Sequence, residues 1–172
     1  EYNRYYQDAV FPNEELENFA PQIIYIHTTN RNITEYPKIS DSPETIDELI
    51  KSEMLKFTSM WEKLEEKYHC PIIQNNFEMP AFLPLGSSDA VLWGGWRHTI
   101  ESLNARLAQY AVEHANVCIH DMHYLASLFG LETWFDLFQY SAYKLAVRYE
   151  MMPFVALHAA NLIKAIFGKT RK

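Results

Sequence analysis

Cysteine is nearly absent. Only Cys70 and Cys118 occur in 172 residues, and neither has a Cys-x-x-Cys or Cys/His spacing around it. One pair cannot form a disulfide framework, so the expected setting is a reducing cytoplasm. Positive charge is scarce as well: 15 Lys and Arg stand against 22 Asp and Glu, a net charge of -7, with no basic run before the last few residues. This balance argues against nucleic acid and anionic membrane as partners. Long apolar runs are also missing, since each stretch is strand-sized or broken by charge, which leaves no membrane span to expect. The opening EYNRYYQDAV has neither a charged n-region nor an apolar h-region, so it does not read as a signal peptide. Without an initiator Met, the chain is expected to begin inside a longer protein.

The residues that are present suit one compact domain with a real core, for 48% are hydrophobic and 15% aromatic. Residues 22–27, QIIYIH, form a β-branched and aromatic run after Pro21 and predict a buried strand. Ser42, Pro43 and Glu44 supply an N-cap, a first-turn proline and an acid. Ile46, Leu49, Ile50, Met54, Phe57, Trp61, Leu64 and Tyr68 then recur at helical spacing and predict a long amphipathic helix. Residues 71–76, PIIQNN, predict a second strand. A loop punctuated by Pro80, Pro84, Gly86, Gly94 and Gly95 leads into a helix over residues 96–114, and residues 116–121, NVCIHD, predict a third strand. Helical character is expected over 122–130, 134–150 and 153–167, the last opened by Pro153 and closed at Gly168. No internal repeat or low-complexity tract occurs.

Alternating strands and helices predict an α/β class protein with a parallel sheet in a three-layer α/β/α arrangement. Right-handed crossovers place all the strand ends on one edge, where ligands bind in such sheets. Thr28, Thr29 and Asn30, then Asn75 and Asn76, then His120, Asp121 and His123 fall there and make up the candidate strand-end site. Three strands are few for this many helices, so further N-terminal strands are expected upstream of Glu1.

His120, Asp121, Met122 and His123 form the sharpest constellation, fit either for a divalent metal or for a general base with its orienting acid. Against this, His120 and Asp121 point to opposite faces of a strand, and Asp121 suits an N-cap of the next helix. No metal is therefore assigned. Asn30 reads either as an oxyanion donor or as an Asx-turn residue. Gly86, Ser87, Ser88 and Asp89 lack the strand-turn-helix context that exposes a nucleophilic serine. Gly168, Lys169 and Thr170 close a helix instead of opening one, so they are not a phosphate-binding loop.

Four stretches together resemble FkbH-like proteins over nearly the whole chain. They are FAPQII (19–24), TIESLNARL (99–107), the spaced set Asp121, Leu125, Ala126, Gly130, Trp134, Phe135 and Asp136, and NLIKAIFGKTRK (161–172). That family joins an N-terminal domain similar to the SGNH hydrolases to a phosphatase-type domain of the haloacid dehalogenase superfamily. The resemblance implies an SGNH-like domain over residues 1–167, with residues 168–172 a connector toward a C-terminal phosphatase-type domain. Magnesium is expected for that absent domain, and no cofactor for this chain. Thr28-Thr29-Asn30-Arg31 matches the family's third-strand Gly-x-Asn-Asp block with one Asn kept, and both the Gly and the Asp lost. The family's serine strand falls before Glu1. No Asp-x-x-His follows Asp121, since Asp136 is followed three residues later by Gln139.

The resemblance implies an accessory, catalytically degenerate domain that positions substrate, or an acyl carrier protein, for a magnesium-dependent domain. Family members are associated with loading glyceryl units onto such carriers. The alternative is an active serine esterase or acyltransferase whose nucleophile lies upstream and whose oxyanion hole uses Asn30. A third reading is an interaction domain with Trp93 and Trp96 on its partner-facing surface.

Overall fold

A computed structural model describes residues 4–168. Its centre is a parallel sheet of three strands, β1 (Ile24–Ile26), β2 (Ile72–Asn75) and β3 (Val117–His120), in that spatial order. Ile24 pairs with Ile72, which pairs with Val117, and Ile26 pairs with Gln74, which pairs with Ile119. With this register the three strands end level with one another.

Two short helices that the sequence reading missed, α1 (Tyr5–Val10) and α2 (Glu14–Phe19), precede the sheet. Helix α3 (Pro43–Tyr68) starts where its sequence signals place it: the Ser42 side chain accepts from Thr45 N–H, and Pro43 occupies the first turn. It stops at His69, which takes a left-handed conformation, φ 48°. Helix α4 (Trp96–Glu113) lies between β2 and β3 in the chain and packs on β3 and on α3. Ile26, Ile72 and Val117 from one face of the sheet meet Phe57, Met60, Trp61 and Leu64 of α3 and Ile100, Leu103 and Leu107 of α4 in the main core. Phe57 and Trp61 have no exposed surface.

The segment 134–150, expected to be helical throughout, is broken. Helix α5 (Met122–Phe129) ends at Gly130, φ 87°, and is followed by α6 (Leu131–Trp134) and α7 (Leu137–Tyr143). Phe135 is extended, and the Asp136 side chain caps α7 by accepting from Gln139 N–H. Lys144 then ends that helix in the left-handed region, φ 59°. Capping side chains and a backbone reversal override the aromatic periodicity here.

Helix α8 (Met152–Ile166) lies on the opposite face of the sheet, against β3. Phe154, Val155, Leu157, Leu162, Ala165 and Ile166 predict from sequence a helix docked firmly on the sheet, but none of its residues is fully buried, and Phe154 and Leu157 are 44% and 55% exposed. It meets β3, the segment before it and α5, where the Phe154 and Phe129 ring centroids lie 4.7 Å apart, and this partial cover leaves its outer apolar residues exposed. Gly168 takes φ 66° just beyond it, as the glycine-terminated helix predicts. Lys169, Arg171 and Lys172 of the expected connector lie outside the described residues.

Candidate functional site

The parallel register puts all eight predicted strand-end residues on one edge of the sheet, following Ile26, Gln74 and Ile119. Most of them hold one another and the neighbouring loops. Thr28 N–H donates to Asn75 Oδ1 at 2.7 Å, and Asn75 Nδ2 donates back to Thr28 O at 2.6 Å and to Asn76 O at 2.8 Å. Gln74 Nε2 donates to Thr28 Oγ1 at 2.9 Å. Thr28, Gln74 and Asn75 are fully buried, so these bonds satisfy groups that water cannot reach. The Asn75 side chain continues the β1–β2 ladder one step beyond the backbone.

Asn30 is neither free nor the head of an Asx-turn. Thr29 and Asn32 make a reciprocal capping box around the turn Asn30–Asn32, which leaves the Asn30 amide to donate to Glu78 Oε1 at 3.1 Å and Glu78 O at 3.2 Å. Tyr36 donates to Asn30 O at 2.9 Å, and its ring stacks on Trp96 at 4.3 Å between centroids. Trp96 is therefore committed inside the domain, whereas Trp93 is 61% exposed. The Arg31 guanidinium sits 3.7 Å from the Phe135 ring centroid and ties the loop after β1 to the start of α7.

On the far side Asn76 Nδ2 donates to Asp121 Oδ1 at 2.8 Å, and Asn76 Oδ1 accepts from His123 N–H at 2.9 Å. Asp121 Oδ1 also accepts from Tyr124 N–H at 3.0 Å, the capping role its position suggests. His123 Nδ1 lies 3.3 Å from Phe77 O. His120 leaves this group. Its ring lies on the α8 face, where Nδ1 shares a 2.7 Å hydrogen bond with the Tyr25 hydroxyl. The sequence cluster His120, Asp121 and His123 is thus divided between two surfaces, and no group of three His, Cys, Asp or Glu among the described residues could hold a metal ion.

Two groups stand out electrostatically. Burial pushes the Glu78 carboxyl up to about 7, against the opposing pull of its own backbone and of Arg31. Burial, followed by the nearby His120, pulls the His27 imidazole down to about 4. His120 is lowered as well, first by burial and then by His158, while Tyr25 is pushed up to about 12 by burial. The phenol therefore stays protonated at neutral pH and is no ready nucleophile.

Of the strand-end residues only His123 reaches a cleft, one of about 590 Å³ lined also by Met79, Phe82, Leu83, Arg97 and Glu101 among others. The loop bordering it is fixed by Asp89, which is buried and accepts from Leu85 N–H at 3.1 Å and Arg97 N–H at 3.2 Å. Asp89 thus braces the start of α4 and does not act as the acid of a serine pair. Sequence reasoning missed Glu78, Gln74, Tyr25 and Asn104. Glu78 lies two residues beyond Asn76 and offered a signal, an acid just past a strand end. Asn104 offered a weaker one, a polar residue beside the apolar stripe of α4; it donates to Phe77 O and accepts from Phe77 N–H, both at 2.8 Å.

A sequence model of the FkbH N-terminal domain matches residues 1–164. The chain belongs to the FkbH N-terminal domain family. Among solved structures, it is similar to the N-terminal part of the protein BF1531 from Bacteroides fragilis, which contains a phosphatase domain and is complexed with Mg. The TM-score is 0.81 at 20% identity, a likeness of fold. All of this chain is covered but only 44% of that one, so the chain spans less than half the length of its structural relative. A search among curated proteins finds no match.

Proposed function

We propose that this FkbH-type domain is an accessory, catalytically degenerate SGNH-like domain. It positions substrate, or a carrier protein bearing it, for a magnesium-dependent phosphatase-type domain of the same polypeptide. Residues 1–167 form the domain in this reading, and residues 168–172 connect it to its partner. One observation carries the proposal: Asn30, Asn75 and Asn76 at the strand ends spend their side-chain hydrogen bonds on neighbouring side chains and on loop backbone. Thr28 and Asn75 are closed on one another, Asn30 is held by Glu78, and Asn76 joins Asp121. An oxyanion donor or a general base needs a free, aimed hydrogen-bonding group, whereas a scaffold needs these groups satisfied. The cleft beside His123 is the surface that a substrate or a carrier's prosthetic arm would use.

Purified chain should hydrolyse neither p-nitrophenyl acetate nor, with magnesium, p-nitrophenyl phosphate. It should also take no label from a fluorophosphonate probe for activated serines. In a polypeptide carrying the phosphatase domain, the cleft substitution Leu83→Arg should raise KM for the carrier-sized substrate and leave p-nitrophenyl phosphate turnover unchanged. Fluorophosphonate labelling of the complete polypeptide, which would carry the upstream serine of the rival reading, would overturn the accessory reading in favour of a serine hydrolase.

A further inference from the structure

The segment around helix α7 carries two pairs of aromatic rings, and one of them already holds a cation. Phe135 and Tyr140 take the Arg31 guanidinium, which lies 3.7 Å and 4.8 Å from their ring centroids. The second pair, Phe138 and Tyr143, stands nearly perpendicular, at 84° with centroids 6.3 Å apart. Among the described residues no cation lies over either of these rings.

Phe138 and Tyr143 line a cavity of about 580 Å³ together with Asp136, Tyr149 and Glu150. Gln139 fixes its far wall, because the side-chain oxygen accepts from Tyr149 N–H at 2.7 Å. The nearby cations are turned to other partners: Arg148 lies 3.7 Å from Asp136, and Lys144 lies over the Tyr140 ring. Glu150 is exposed and has no ion-pair partner among the described residues. The cavity thus combines open aromatic faces with an unbalanced carboxylate, and both attract a cation. Phe138, Tyr143 and Tyr149 are 72%, 66% and 68% exposed, so a small molecule laid on them would stay largely in water, whereas a peptide can reach across several rings.

We propose that this cavity is a docking site for an arginine-bearing segment of a second protein, whose guanidinium stacks on Phe138 or Tyr143 and donates to the Glu150 carboxylate. Arginine fits better than lysine, because its planar group can stack on a ring and still present N–H groups to a carboxylate. Arg31 on Phe135 is the same contact made within the chain. Charge favours a basic partner at longer range as well, since the chain carries a net charge of -7, and for the same reason a second copy is the poorer occupant. The proposal is independent of the accessory reading above.

Titration of the complete gene product into a fluorescein-labelled arginine peptide, read by anisotropy, tests it. The peptide should bind saturably, and its counterpart with citrulline, which keeps the shape and loses the charge, should bind at least about fivefold more weakly. E150Q and F138S should each weaken binding of the arginine peptide at least about threefold. E48Q removes the same charge from an exposed position on α3 that does not line the cavity, and should leave binding unchanged. Should F138S fail to fold, the contrast between E150Q and E48Q decides. Absence of binding, or equal binding of the arginine and citrulline peptides, would overturn the proposal. So would equal losses in E150Q and E48Q, the mark of bulk charge alone, or arginine amide binding as tightly as the peptide, the mark of a small-molecule pocket. A stable dimer through α7 that the peptide does not disturb would give the surface to a second copy and overturn it too.

Discussion

Glu78 and His27 carry opposite proton linkages in the same pH range. The Glu78 carboxyl sits at about 7 when folded, against an ordinary 4.5, so between these values the folded chain keeps a proton that the unfolded chain has released. Stability from this group falls as pH rises through that window, and above pH 7 the full penalty is on the order of 3 kcal/mol. His27 sits at about 4 when folded, against 6.5, so between these values the unfolded chain holds a proton that the folded chain refuses. Stability from His27 therefore rises with pH through its window. The two slopes oppose one another in the native chain. E78Q keeps a side-chain carbonyl for the Asn30 amide and removes one slope. It should raise stability at pH 8 by roughly 1–3 kcal/mol and leave stability rising with pH between about 4 and 6.5. Urea unfolding across pH 4–8 reads both effects, and an E78Q profile parallel to the parent's would refute the burial argument.

At the scale of elements, α3 and α8 look alike in sequence and differ in what covers them. Both open with a proline in the first turn and repeat apolar residues at helical spacing. Leu64 is 1% exposed in the core between α3, α4 and the sheet, whereas Leu157 is 55% exposed. Leu64→Ala should therefore cost about 2–5 kcal/mol, through lost burial and the cavity it leaves. Leu157→Ala should stay within about 0.5 kcal/mol. Chemical denaturation of the two variants checks the contrast. A cost at Leu157 as large as that at Leu64 would mean that α8 is docked after all.

Over the whole molecule, the two sides of the sheet are unequal. One is sealed by α3 and α4, while the other and its flank leave Leu137, Phe138, Tyr143 and Tyr149 between 66% and 72% exposed. Exposed apolar patches mark surfaces that meet something else. The native chain should bind an apolar dye such as anilinonaphthalene sulfonate. The L137S/F138S variant should bind it less and self-associate less, with stability changed by no more than about 0.5 kcal/mol per site. Dye fluorescence and analytical ultracentrifugation measure this. Unaltered dye binding would place the sticky surface elsewhere.

The sequence by itself determined the three strands, the cap and length of α3, the extent of α4, and the gathering of polar strand ends on one edge. Those features depend on periodicity, local caps and the geometry of a parallel sheet, all carried by neighbouring residues. It did not reveal α1 and α2, the breaks at Phe135 and Lys144, or the exposure of α8. Nor did it reveal that the strand-end polar groups are bound to one another. Thr28 meets Asn75 across 47 positions, and Asn30 meets Glu78 across 48. Whether an amide is free to act on a ligand or closed on another chain segment depends on such distant partners. The proton affinity of Glu78 likewise depends on how completely its surroundings exclude water. Only the tertiary structure decided these matters, because burial and long-range hydrogen bonding are properties of the packed chain and not of any local stretch.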